Sequence, residues 1–178
     1  MLNTTSAKLV LHDLSEGVIV TNNQGVFEYF NPAAEKILGI GMLNKEQEEW
    51  PKAYGVYLPD TTTLMPPDQI PLVRAGKGEV VENVELYIKN ENLRSGTFIS
   101  VNGRPLFDES GEKVGAFVIF NDITARKQEE KSKEEIMNLT KQLNSEFMHR
   151  EGRMAELKKE NEDLRCQLGA LQTVETPK

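Results

Sequence analysis

The chain has 178 residues, of which 38% are hydrophobic and 28% charged, and its formal net charge is -7. This length accommodates one ordinary domain and an appendage, and the acidic balance disfavours nucleic acid or an anionic membrane surface as the main partner. No apolar run approaches the roughly 18 residues of a membrane span, and the single cysteine, Cys166, cannot form an internal disulfide. We therefore expect a cytoplasmic protein that binds neither nucleic acid nor membrane.

The first thirty residues predict a helix and then a β-hairpin. Residues 7–14 place leucines on one side of a helix, so we expect an N-terminal flanking helix within residues 1–16. Residues 17–22 and 26–30 are rich in β-branched and aromatic residues, which is typical of strands. The Asn-Gln-Gly sequence between them is a tight-turn signal.

A short helix is expected directly after this hairpin. Asn31 can act as its N-cap, since Pro32 suits the first helical position, and Gly39 is expected to end it. A direct contact between Asn31 and a ligand is the alternative, but the adjacent proline favours the cap.

The least regular part of the sequence is residues 41–78, which are helix-like only near residues 67–75. Three aromatic residues of this segment, Trp50, Tyr54 and Tyr57, combine a large apolar body with a polar tip. They are candidates for the wall of a ligand pocket. They also bury well with no ligand present, so packing in the core is the alternative that we favour.

Three further strands are predicted, at residues 80–89, 97–106 and 113–122. The last of them is apolar on both faces, because Val118 and Phe120 point one way while Phe117 and Ile119 point the other. One face should therefore pack on the domain's own helices, and the other should be covered by something else.

A long helix is predicted at residues 125–174, followed by a disordered tail at residues 175–178. From Ile136 onward a heptad repeat can be written, and its second half forms a good coiled-coil seam. The first half is weaker, since Thr140 and Arg150 lie on the seam. A single solvated helix is the alternative, but the repeat is sustained over several heptads. The predicted seam residues are Leu157, Asn161, Leu164, Leu168 and Leu171.

Several motifs occur in an order that resembles the PAS domain family. They are Glu16–Thr21, Phe30–Gly39, Asp108-x-x-Gly111-x-x-x-Gly115 and Asp122–Lys127, in which Asp-Ile-Thr matches the family's signature at the end of its last strand. The resemblance covers about residues 7–128. It implies an α+β fold, with a five-stranded antiparallel sheet at residues 17–124, short helices on one face and a pocket beneath them.

The resemblance also implies that Asp122 and Thr124 are signal-relay positions between the sheet and the outgoing helix. From the residues alone, both could simply cap that helix, because an oxygen at a helix start accepts orphan amide protons. The two interpretations are compatible, since a cap contributes only about 1 kcal/mol and can be made or broken by a signal.

Cofactor chemistry is constrained by the positions of histidine and cysteine. Haem-binding relatives need an axial histidine in the pocket helices, and flavin-bonding relatives need a cysteine there. This chain has only His12, His149 and Cys166, all outside residues 15–128. We therefore predict no haem, no covalently bonded flavin and no metal, while a non-covalent small ligand is allowed. No catalytic arrangement of side chains stands out, which predicts that the protein is not an enzyme.

The preferred hypothesis is a sensory module that forms a parallel homodimer through its C-terminal coiled coil and passes a signal onward. Residues 150–160 also resemble the helical connector of bacterial sensor kinases, so we expect the partner to be a kinase or another output domain. The alternative is a ligand-free adaptor that uses the sheet and the coiled coil as protein-docking surfaces.

Overall fold

The computed structural model describes residues 4–172, and the exposure of individual side chains is described for residues 9–165. The chain divides into two compact units, residues 1–128 and residues 129–178. The predicted disordered tail at residues 175–178 lies outside the described residues.

Between residues 4 and 128, the first unit contains four short helices, six strands and the beginning of a long helix. Their bounds are α1 (Thr4–Asp13), β1 (Gly17–Asn22), β2 (Phe27–Phe30), α2 (Pro32–Leu38), α3 (Trp50–Tyr54), β3 (Val56–Tyr57), α4 (Pro71–Gly76), β4 (Val81–Ile88), β5 (Thr97–Phe107), β6 (Lys113–Asp122) and α5 (Thr124–Gln172). Single turns of 3₁₀ helix at Gln47–Glu49 and Pro67–Gln69 precede α3 and α4. The proline at residue 71 divides the predicted helical segment at residues 67–75 because it has no N–H with which to continue the preceding turn.

The described strands form one antiparallel sheet in the order β2-β1-β6-β5-β4-β3. The expectation of five strands was wrong by one, since β3 adds an edge strand in which Val56 pairs with Ile88. Gly55 turns the chain out of α3 with a φ of 66°, and a Cβ there would lie 1.9 Å from the carbonyl oxygen of Lys89. A two-residue strand is too short to show the alternation by which strands are recognised in a sequence.

The two faces of β6 are apolar, as predicted, but they are buried to different extents. Val118 and Phe120 are 4% and 3% exposed and belong to the main hydrophobic core. Phe117 and Ile119, on the opposite face, are only half-buried. The inner face therefore supplies the core, and the outer face is incompletely covered by the described residues.

Helix α1 begins at Thr4, three residues before the predicted start. Leu11 and Leu14 are half-buried, which agrees with the predicted apolar side of this segment. Leu9 and Val10 are exposed. Over residues 9–14, where exposure is described, the segment is thus covered on one side only.

Asn31 is a buried polar residue whose side chain connects α1, β1 and α2. Its Oδ1 accepts hydrogen bonds from the backbone N–H of Ala34 at 2.9 Å, which is the predicted N-cap of α2, and from that of Val18 at 2.8 Å. Its Nδ2 donates to the carbonyls of Leu11 at 3.0 Å and Glu16 at 2.9 Å. The side chain is fully buried, and the two bonds that Oδ1 accepts are buried with it, so that leaving them unmade would be costly.

In the second unit, α5 continues without interruption to Gln172, and Gly152 does not break it. All side chains from residue 129 to residue 165 are exposed, and the helix predicted for residues 125–174 is present over its described length. The side chains of the predicted seam residues Leu168 and Leu171 lie outside the described ones. None of the helices between residues 4 and 172 is long and apolar enough to cross a membrane.

We expect Asn31→Ala to lower the free energy of unfolding by about 2–4 kcal/mol, because it leaves the buried N–H groups of Val18 and Ala34 without partners and also breaks two part-buried bonds. Asn102→Ala is the matched control, since the Asn102 side chain is exposed and accepts one hydrogen bond, from the N–H of Asn83. Its expected cost is below about 1 kcal/mol. Urea unfolding of both variants measures the difference, and equal losses would contradict the role assigned to Asn31.

Candidate functional site

A cavity of about 80 Å³ lies between the inner face of the sheet and helices α2–α4. Its wall takes side chains from every strand, including Ile19 of β1, Ile88 of β4 and Val101 of β5, and no polar atom contributes to its surface. Phe27 is half-buried, whereas the other wall residues are buried. The cavity is therefore a hydrocarbon-lined space that approaches the surface at Phe27.

The two polar aromatic residues of the wall direct their polar atoms away from the cavity. Trp50 Nε1 donates to the carbonyl of Lys45 at 3.0 Å. The Tyr54 hydroxyl donates to the carbonyl of Gly41 and accepts from the N–H of Leu43, both at 3.1 Å. Burial raises the pKa of the Tyr54 phenol, and the Leu43 N–H offsets part of this rise. Both residues thus present only ring carbon to the cavity.

The structure separates the three aromatic candidates proposed from the sequence. Trp50 and Tyr54 are both 4% exposed and line the cavity. For these two residues, packing in the core and forming the wall of a pocket are therefore not exclusive alternatives. Tyr57 is half-buried on β3 and lies outside the wall. A role in ligand contact stays a prediction for Trp50 and Tyr54.

Sequence reasoning missed Phe27, which is the aromatic partner of Trp50. Their ring centroids are 4.6 Å apart with an interplanar angle of 22°, so the rings stack. Phe27 also packs edge-on against Tyr54, with centroids 6.3 Å apart. The hairpin pattern placed Phe27 on a strand, but nothing local in the sequence connects it with a residue in the irregular segment.

The junction between the sheet and α5 is held by a small group of hydrogen bonds. Asp122 Oδ1 accepts from the N–H of Thr124 at 2.8 Å, which is the capping bond expected from the sequence. The Thr124 hydroxyl instead accepts from the N–H of Phe98 at 2.9 Å, and the Phe98 carbonyl accepts from the N–H of Ile123 at 2.8 Å. Asp122 therefore caps the helix, while Thr124 attaches it to β5. Their part in signal relay stays a prediction.

Glu85 of β4 supplies a second attachment, which the sequence did not reveal. Its carboxylate oxygens lie 2.9 Å from Arg126 Nη2 and 2.6 Å from Lys127 Nζ. The Glu85 side chain is 29% exposed, so these ion pairs are only partly screened by solvent. The first turn of α5 is thus held to both β4 and β5.

Metal binding finds no support in the described part of the chain. Among the side chains that the structure describes, at residues 9–165, no three of histidine, cysteine, aspartate or glutamate are grouped so that they could hold an ion.

The order of elements, the cavity beneath the helices and the Asp-Ile-Thr junction match one family. The family described as the PAS fold matches residues 11–128, which is more than half of the chain. This chain belongs to the PAS family. The α+β fold expected from the motifs is confirmed, with six strands in the PAS sheet rather than five.

Among characterised proteins, the PAS domain is similar to the signal transduction histidine-protein kinase AtoS of Escherichia coli strain K12. The two are 29% identical over 120 residues, which cover 67% of this chain and 18% of the kinase. The chain therefore spans less than a fifth of the length of that relative.

Two solved structures are similar to this chain. An RNA-binding Light-Oxygen-Voltage receptor has a TM-score of 0.51 at 17% identity, covering 78% of this chain and 38% of that one. A sensory box histidine kinase/response regulator from Burkholderia thailandensis is 23% identical with a TM-score of 0.43, covering 74% of this chain and 98% of that one.

We expect Asp122→Ala to leave the PAS domain folded and to loosen the start of α5, because it removes a cap and not a core contact. Amide hydrogen exchange should accelerate across residues 125–133 while β5 and β6 stay protected. Asn121→Ala, at the adjacent exposed position, should leave exchange unchanged. Unaltered exchange in the Asp122 variant would remove the case for a relay function of this residue.

Glu85→Gln should also accelerate exchange in the first turn of α5, because it removes the carboxylate that pairs with Arg126 and Lys127. The matched control is Glu82→Gln on the same strand, whose carboxylate pairs with the exposed Arg104. Added salt should accelerate exchange in the wild-type protein and in the control, but much less in Glu85→Gln, since salt screens the ion pair. The same salt response in all three proteins would argue against this attachment.

Proposed function

We propose that this PAS sensory domain is a non-catalytic module of signal transduction. In this proposal α5 pairs with α5 of a second copy as a parallel coiled coil, and the paired helices carry a signal from the PAS domain to a kinase or other output partner. The exposed apolar residues of α5 carry the dimer proposal. They are Ile136, Met137, Leu139, Leu143, Phe147, Met148, Met154, Leu157 and Leu164.

The spacing of these residues supports a second copy of the helix as their cover. Leu157 and Leu164 occupy successive d positions and are 61% and 53% exposed in one chain. Asn161 lies at the intervening a position, and a single asparagine there favours a dimer of defined register. Burial of this many exposed apolar side chains by a partner is favourable in free energy, so α5 is expected to associate.

Electrostatics oppose this pairing weakly. In a parallel pair, Glu146 would face Glu151 and Arg153 would face Lys158, whereas Glu160 would face Arg165. Exposed pairs are typically worth less than about 1 kcal/mol each, while each well-buried leucine contributes about 1.5–3 kcal/mol. Leucine burial therefore dominates, and the dimer should be tightest at its C-terminal end.

The path proposed for the signal runs through the junction. The first turn of α5 is attached to β5 through Thr124 and to β4 through Glu85. Strands β4 and β5 also form part of the cavity wall. A structural change in the cavity wall would therefore be passed along β4 and β5 and would alter how the first turn of α5 is attached.

The similarity to AtoS supports a kinase as the kind of partner, since its name assigns that protein to the signal-transducing histidine kinases. We also propose that the module works in the cytoplasm without haem, covalent flavin or metal. The hydrocarbon wall of the cavity contains neither histidine nor cysteine, so it offers no axial ligand for haem and no thiol for flavin.

A ligand-free adaptor is the second candidate, and the half-exposed outer face of the sheet at Phe117 and Ile119 favours it. In that case both the PAS sheet and α5 would be docking surfaces for proteins. The two candidates differ in whether the cavity is ever occupied.

We expect the full chain to be dimeric at micromolar concentration in light scattering, and a chain ending at Lys131 to dimerise more weakly while staying in solution. Combined Leu157→Ala and Leu164→Ala should raise the dissociation constant by at least about a hundredfold, because apolar burial is lost on both helices. Lys159→Ala, at the outward f position, is the control and should leave it nearly unchanged. Higher salt should tighten the wild-type dimer slightly, because like charges are screened.

A full chain that is monomeric at micromolar concentration would overturn the coiled-coil proposal. Equal dimerisation by the chain ending at Lys131 would do the same, because it would assign the contact to the PAS domain.

A further inference from the structure

We propose that the cavity behind Phe27 and Trp50 binds a small, uncharged, apolar molecule no larger than a single ring. This inference deepens the proposed sensory function and rests on it, since it names the chemical class of the molecule to be sensed.

The chemistry of the wall carries the first step. The wall consists of side chains such as Leu38, Leu72 and Ile99, and the polar tips of Trp50 and Tyr54 are bonded to backbone outside the cavity. A ligand with a hydrogen-bonding group would lose its bonds to water on entry and find no replacement. Charged and strongly polar ligands are therefore rejected, and apolar ones are accepted.

The size of the cavity carries the second step. An engineered apolar cavity of about 150 Å³ in another protein stays dry and binds benzene or xenon. The space here is about 80 Å³, roughly half of that volume. A ligand the size of one ring would fill it with a small outward adjustment of the wall, whereas a flavin or a haem is several times too large.

Phe27 provides the third step, because a ligand must be able to reach the cavity. It is the half-buried member of the wall, and it also borders a surface depression lined by residues 24–27 and 42–47. Rotation of this ring would connect the depression with the cavity. The ring stacks on Trp50, so movement on entry would change the surroundings of that indole.

Trp50 is the sole tryptophan of the chain, and its emission therefore reports on the cavity directly. The experiment titrates the full chain with benzene and, separately, with pyridine, which has nearly the same shape but carries a hydrogen-bond acceptor. Benzene should change the Trp50 emission saturably and raise the melting temperature, because it binds the folded state alone. Pyridine should bind at least about tenfold more weakly, since its nitrogen would be buried without a donor.

A filling variant distinguishes the cavity from other apolar surfaces. Val101→Phe places a ring into the space from β5, where Val101 is 3% exposed, and it should abolish the benzene response. Val114→Phe makes the same change at a position that is 40% exposed and outside the wall, and it should respond as the wild type does. If Val101→Phe does not melt cooperatively, the more flexible Val101→Met takes its place, with an expected weakening of several-fold.

Three results would each overturn the proposal: no saturable response of the wild type to benzene, equal binding of pyridine, or an undiminished response in the folded filling variant. The emission assay does not depend on the association state. A monomeric chain that binds benzene would contradict the coiled-coil dimer alone, and a dimeric chain that ignores benzene would contradict this inference alone.

Discussion

The backbone of Phe98 is the constraint on which the rest of the molecule depends. Its N–H donates to the Thr124 hydroxyl, and its carbonyl accepts from the N–H of Ile123. Both polar groups of one strand residue are thus satisfied by Thr124, the first residue of α5, and by Ile123, the residue before it. The pairing of Ile99 with Asp122 continues this register into the sheet. Strand β5 and the start of α5 are consequently fixed relative to each other, because neither can shift without breaking the hydrogen bonds between them.

The apolar wall of the cavity likewise depends on polar groups that have hydrogen-bond partners. Trp50 and Tyr54 would be expensive to bury if their polar tips had no partners. The loop at residues 41–45 supplies backbone partners for both, and this leaves the ring carbons free to form an apolar wall. The irregular loop at residues 41–45 therefore allows the cavity wall to be apolar.

Features set by neighbouring residues could be predicted from the sequence. Contacts between residues that are far apart in the chain could not. Pro32 after Asn31 was sufficient to predict the helix cap, but the three other hydrogen bonds of Asn31 connect elements that no spacing rule brings together. The attachment of Glu85 to Lys127 bridges residues that are far apart in the chain, and on an alternating strand Glu85 looks like any solvent-facing residue. The heptad repeat of α5 could be written from sequence because its period is local, whereas the stacking of Phe27 on Trp50 depends on the finished tertiary structure.

The bond from Asn31 to the Leu11 carbonyl has a consequence for the order in which the domain comes apart. That bond, together with the half-buried Leu11 and Leu14, is the anchorage described for α1, whose Leu9 and Val10 remain exposed. Among the described contacts, releasing α1 breaks the bond from Asn31 Nδ2 to the Leu11 carbonyl, while the other three side-chain bonds of Asn31 stay in place. Local opening of a terminal element costs less free energy than global unfolding. We therefore expect α1 to detach locally before the sheet of the PAS domain unfolds.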